Sequence, residues 1–169
     1  MKRIADATEV KRLLNPGFLS LVIAFAAEGF EDESEAGLPF LLALAVPPLL
    51  LHRETREKLP KVVTSKMSEW TKKHPHAAAQ MPAHLQEFVS LTKRALVFGS
   101  NIGTISIEAD GSVVSCRQMT ATAAVKSAKT SVEIPEIIKK AYFTGRWLAH
   151  AGTVATIYSI LGVGLVHEA

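Results

Sequence analysis

The sequence predicts a mainly α-helical domain with one small β-hairpin, an α+β class with a winged-helix-like order. Three observations predict it. Apolar residues recur at helical spacing along most of the chain. One stretch only, "GTISIEADGSVVSC", alternates apolar with polar residues around an Asp-Gly pair. The length of 169 residues suits a single domain over 1–169, and 48% apolar against 21% charged residues is ordinary for a folded protein.

The elements follow in order. Asn15-Pro16 is a capping side chain followed by proline at the first helical position, so a helix is expected over about 16–31. Phe18, Leu19, Val22, Ile23 and Phe25 predict that this helix is buried on several sides. It runs into "EGFEDESE", where Glu28, Glu31, Asp32, Glu33 and Glu35 read first as a solvated loop and second as a contact for a basic partner. Gly37-Leu38-Pro39 opens a helix over about 38–51, with a stop or kink at Pro47-Pro48. Thr64-Ser65 can cap a helix over about 64–73, which "KKHPH" ends. Leu85, Phe88, Leu91, Ala95 and Phe98 set a helix over about 83–98. The hairpin, about 104–116, turns at Asp110-Gly111, a pair that tolerates the positive φ of tight primed turns. Residues 117–131 form a Lys/Thr/Ala/Ser connector with no readable pattern. Pro135 opens a helix over about 135–150, Gly152 ends it, and Thr153 caps a last helix over about 153–161.

Composition narrows the function. Residues 1–12 are charged and lack the apolar core of a secretory signal. The most apolar run, Leu38–Leu51, holds three prolines and falls short of the roughly 20 residues of a membrane span. One cysteine, Cys116, excludes an internal disulfide, suits a reducing cytoplasm, and is expected to pack within a strand. The net charge of +3 is too small to argue for nucleic acid alone.

The chemistry-bearing motifs of nucleotide binding, zinc proteolysis and serine hydrolysis are absent from the sequence. His74, His76 and His84 lack the four well-spaced ligands of a structural zinc site and read as surface histidines. The carboxylates cluster in hydrophilic segments where they should keep ordinary pKa values. These features predict a protein that is not an enzyme, with no metal, cofactor or small-molecule substrate.

DNA binding is the rival. A helix followed by a hairpin is the order at the end of a winged helix, and Lys93, Arg94, Arg117, Lys126 and Lys129 could supply a basic face. The hairpin itself, Thr104–Cys116, carries no Lys or Arg, although phosphate contacts dominate such affinity. "GRWLAHAGTVATIYSILGVG" has a helix-turn-helix outline, yet Ala151 to Val166 offers no Arg, Lys, Asn or Gln for base edges. Val154, Ile157, Tyr158 and Leu161 instead form an apolar stripe that must pack.

"LLNPGFLSLVIAFAAEGFEDESEAGLPFLLALAVPPLLLHRETREKLP" and "FTGRWLAHAGTVATIYSILGV" together resemble the small middle component of three-component ABC systems. Asn15-Pro16 with Phe18, Leu38-Pro39, His52-Arg53 with Thr55-Arg56, Leu59-Pro60, Phe98-Gly99 and Gly145-Arg146-Trp147 carry the resemblance. It implies a non-enzymatic adaptor that couples an SMC- or Rad50-like ABC ATPase to an effector protein in prokaryotic antiphage defence, related to Lamassu-type systems. DNA would then be reached only through the complex. His52, Arg53, Arg56, Arg146 and Trp147 become candidate partner contacts or buried organisers, since Arg can hold a carboxylate in two-pronged fashion. Equally, these arginines can pair internally with Glu54, Glu57 or the 28–35 acids.

Overall fold

The computed structural model describes residues 14–129 and 133–164. In chain order the elements are α1 (Pro16–Ser34), β1 (Leu38–Pro39), α2 (Phe40–Leu51), α3 (Arg53–Glu57), α4 (Met67–Lys73), α5 (Pro75–Ile102), β2 (Ile105–Ile107), β3 (Ser112–Ser115), α6 (Arg117–Ala128), α7 (Glu133–His150) and α8 (Val154–Ile160). The architecture is mainly helical with one small antiparallel sheet, as the sequence predicts.

Helix α1 is the central element. Asn15 Oδ1 accepts the Gly17 N–H at 2.7 Å, and Pro16 occupies the first helical position. Leu19, Val22, Ile23, Ala24, Ala26 and Ala27 are fully buried, so the helix is enclosed rather than amphipathic. Helices α5 and α7 pack on it from different sides, and α2 bridges those two.

Helices α1 and α7 touch backbone to backbone. A Cβ placed on Gly145 would lie 1.8 Å from the Ala26 carbonyl oxygen, and one on Gly29 would lie 2.0 Å from that of Tyr142. Only glycine permits this approach.

Several expectations are corrected, each for a physical reason. Helix α2 continues through Pro47-Pro48 to Leu51, so the prolines do not stop it. A proline inside a helix costs about 3 kcal/mol. Burying Leu42, Leu44, Val46, Leu49 and Leu50 contributes about 1.5–3 kcal/mol each, so burial wins. The same helix begins at Phe40, because Leu38-Pro39 is a strand. The residue before proline is pushed into extended conformation, and proline is tolerated on an edge strand.

Helix α5 spans Pro75–Ile102 rather than 83–98. Ala77, Met81, Leu85, Phe88, Thr92, Ala95 and Gly99 keep helical spacing straight across Pro82, so the buried stripe carries the helix through it. Lys66, not Thr64-Ser65, stands at the cap of α4. The connector 117–131 contains α6, while its residues 130–131 lie outside the described residues, as does Val166.

The sheet order is β1-β3-β2, with Leu38 opposite Val113 and Ile107 also opposite Val113. The hairpin turns where expected, but through a longer loop than a primed turn. Gly111 has φ 82°, while Asp110 keeps a negative φ. Asp110 Oδ1 accepts the Ser112 N–H at 2.9 Å, closing the loop from its side chain. Cys116 is exposed just past β3, not packed within a strand.

Candidate functional site

The acidic "EGFEDESE" segment forms the last turns of α1, not a loop, and other elements hold it. Arg117, opening α6, donates to Asp32 at 2.7 Å and to Glu31 at 3.3 Å. Tyr142 of α7 donates to the other Asp32 oxygen at 2.6 Å. Arg146 and His150, one turn apart on α7, both reach Glu33. Hydrogen bonds from Arg117 and Tyr142 hold the Asp32 carboxyl below its ordinary range, and those from Arg146 and His150 do the same for Glu33. Glu28 lies deeper, accepts from Ser115 at 2.9 Å, and is pushed up by burial. Arg146 therefore serves in an internal pair across the α1–α7 seam.

Among the described residues Arg56 is the most deeply placed charge, with 2% of its side chain exposed. It donates to the Leu50 carbonyl at 2.7 Å and to the Glu133 carboxylate, with Glu136 at 4.0 Å. Lys140 donates to the Arg56 carbonyl at 3.0 Å. This set ties the end of α2 and α3 to the first turns of α7. Arg53, by contrast, is exposed and pairs with Glu57 at 2.7 Å along α3.

His52, between α2 and α3, stacks on His84 of α5 with centroids 3.4 Å apart and planes 10° from parallel, and Phe88 meets its edge. His84 is thus half-buried against a second ring, not a surface histidine. Burial lowers both imidazoles below their ordinary value of 6.5, and His84 lowers His52 further. Glu87 from α5, 3.8 Å from His52, and Glu54 from α3 act in the opposite sense.

Both rings are therefore neutral in the fold near pH 7, while histidines of the unfolded chain take up protons below 6.5. Their contribution is intact above 6.5 and is lost as pH falls from there through the depressed folded values. Between about pH 7.5 and about pH 5.5 the urea midpoint is expected to drop more for the wild type than for His84→Phe, which keeps the stack without the titration. Equal drops would refute this account of the pair.

Trp147 is fully buried. Its Nε1 donates to the Ser65 carbonyl at 2.7 Å, and its ring meets Trp70 edge-on at 5.6 Å. Trp70 Nε1 in turn donates to the Lys58 carbonyl at 2.7 Å. Two buried indoles thus hold both ends of the 58–66 loop.

Of the residues picked for nucleic acid, Lys93 and Arg94 are exposed on α5, and Lys126 and Lys129 are exposed at the end of α6 and just past it. They sit on separate elements, and Arg117 is engaged by Glu31 and Asp32. Sequence reasoning missed Tyr142 and His150 as partners of the acids. It also passed over Lys61, Lys66 and Lys73, although the density of lysine around Trp70 was a readable signal.

The fold and its sites define a class: a helical protein in which Arg56 and the acids of α1 are held by internal partners, with exposed apolar and cationic side chains left outside. The chain belongs to the ABC-three component (ABC-3C) system Middle Component 3 family, whose model matches residues 5–165. No curated protein and no solved structure matches it. No helix among the described residues is long and apolar enough to cross a membrane.

Proposed function

We propose that the chain is a non-enzymatic accessory subunit that couples an SMC-like ABC ATPase to an effector in a prokaryotic antiphage system, working in the cytoplasm. Membership of a middle-component family over 5–165 carries this reading. The side chains support it. Arg56, Arg117 and Arg146 are taken up by internal carboxylates, while Val97, Phe98 and Ile102 at the end of α5 and Ile107 on β2 stay exposed. Exposed large apolar groups of this kind suit contact with another protein.

Co-expression with the ATPase component of the same system, followed by purification on a tag carried by this chain, tests it. A complex that survives about 0.5 M salt is expected, since apolar contact is screened little. Absence of a complex at any salt would sink the reading.

A DNA-binding reading has one observation in its favour: the hairpin follows α5 and pairs with β1, which supports a winged-helix-like reading. The hairpin residues Thr104–Cys116 carry no Lys or Arg, which weighs against it. Duplex binding that weakens steeply with salt, in the same preparation without the ATPase, would favour DNA instead.

A further inference from the structure

We propose that the cleft between the 58–66 loop and α4 is the docking site for an acidic segment of a partner protein that carries an apolar side chain. This assignment rests on the accessory-subunit reading above.

The cleft has a volume of about 560 Å³. That lies within the roughly 300–1,000 Å³ of sites that enclose a ligand group. Its wall is a loop without regular structure, yet the loop is held at both ends. Trp70 Nε1 binds the Lys58 carbonyl and Trp147 Nε1 binds the Ser65 carbonyl, both at 2.7 Å, with the two rings in edge contact. A buried Trp N–H normally finds a partner, and here both partners are carbonyls of one surface loop. The cleft is therefore shaped before anything enters it, which lowers the ordering cost of binding.

Its chemistry points to one kind of occupant. Leu59 and Pro60 line it, and Val62 stands 57% exposed at the loop. Around them are Lys58, Lys61, Lys66 and Lys73, with Glu57 and Glu69 as the acids. Lys58 is paired with Glu54, and Glu57 with Arg53. Among the described residues Lys61, Lys66 and Lys73 make no ion pair, so three lysines face one remaining acid, Glu69. An apolar lining with a cationic surplus complements an acidic, apolar-anchored peptide.

A second copy of this chain does not fit as well. Its acidic stretch is already occupied, because Glu31, Asp32 and Glu33 are held by Arg117 and Arg146. A nucleic-acid strand fits less well too. Trp70 is turned inward at 4% exposure and offers no face for a base to stack on.

The test uses the full chain and a fluorescein-labelled synthetic peptide of Glu and Asp with two Leu. Saturable binding is expected, weakened about tenfold by Lys61→Glu with Lys66→Glu and Lys73→Glu, all exposed positions, and weakened also by raised salt. Val62→Asp, which leaves the lysines in place, should weaken it as well. No saturable binding, equal binding by the charge-reversed chain, or stronger competition by single-stranded DNA than by unlabelled peptide would each overturn the assignment. Co-expression with the ATPase and effector components then separates the two readings. Partner capture by wild type but not by the charge-reversed chain supports the cleft. Equal capture by both overturns the cleft alone. Capture by neither sinks the accessory reading, and the cleft's assignment to a partner subunit with it.

Discussion

Gly145→Ala is expected to destabilise the fold by about 3 kcal/mol or more. The added Cβ would sit 1.8 Å from the Ala26 carbonyl oxygen and 2.7 Å from its carbon. Neither neighbour is a side chain that can rotate away, so α1 and α7 must separate by more than an ångström along their seam. That separation also stretches the Arg146–Glu33 and Tyr142–Asp32 contacts beside it. Inserting one methyl into a well-packed core typically costs about 1–3 kcal/mol, and a rigid backbone neighbour places this case at or above the top of that range. Against a total stability of about 5–15 kcal/mol the loss is large. The urea midpoint should fall by about 1 M or more. Gly29→Ala, 2.0 Å from the Tyr142 oxygen, should behave alike, while Gly164→Ala, with nothing within 4 Å, should leave the midpoint unchanged. A Gly145→Ala protein as stable as the Gly164→Ala one would refute the close-contact account.

Arg56→Met is the second large effect, at about 3 kcal/mol. The guanidinium is 2% exposed and bridges the Leu50 carbonyl, freed at the end of α2, to the Glu133 carboxylate. Removing it takes the buried donor from both acceptors. Breaking a buried pair costs about 3–5 kcal/mol. Glu133 keeps 26% of its side chain exposed, so water recovers part of its solvation and the lower end applies. Arg56→Lys should recover little, because its single nitrogen on a shorter stem lacks the two-nitrogen fork that meets the Leu50 carbonyl and Glu133 at once. Denaturant unfolding of the three chains checks this, and a lysine variant matching wild type would overturn it. Arg53→Met serves as the control: its exposed pair with Glu57 should contribute under about 1 kcal/mol.

What was legible in the sequence was what depends on near neighbours. Asn15-Pro16 marks the start of α1, Asp110-Gly111 the hairpin loop, and Gly152-Thr153 the break before α8. Each signal acts over a few residues. Structure was missed where distant contact overrides the local rule. Prolines 47, 48 and 82 lie inside helices because burial outweighs their cost. Helix α6 has no apolar stripe to betray it. Its place is set by Arg117 on the α1 acids and by Thr120, whose hydroxyl donates to the Thr104 carbonyl at 3.2 Å. The candidate residues divide on the same principle. "GRW" could be singled out as a motif, but that Arg146 would meet Glu33 and Trp147 would hold the carbonyl of Ser65 could not be read, across 113 and 82 residues.

The glycine seam also orders events in time. Helix α1 is apolar and buried over most of Phe18–Ala27 and is covered by α7, whose Arg146 lies 113 residues downstream of Glu33. A chain made at about 5–20 residues per second must wait roughly 6–23 s between the two. Throughout that interval the central helix stands without its cover, open to chaperones or to the wrong neighbours. The packing around α1 is thus closed only after α7 has left the ribosome.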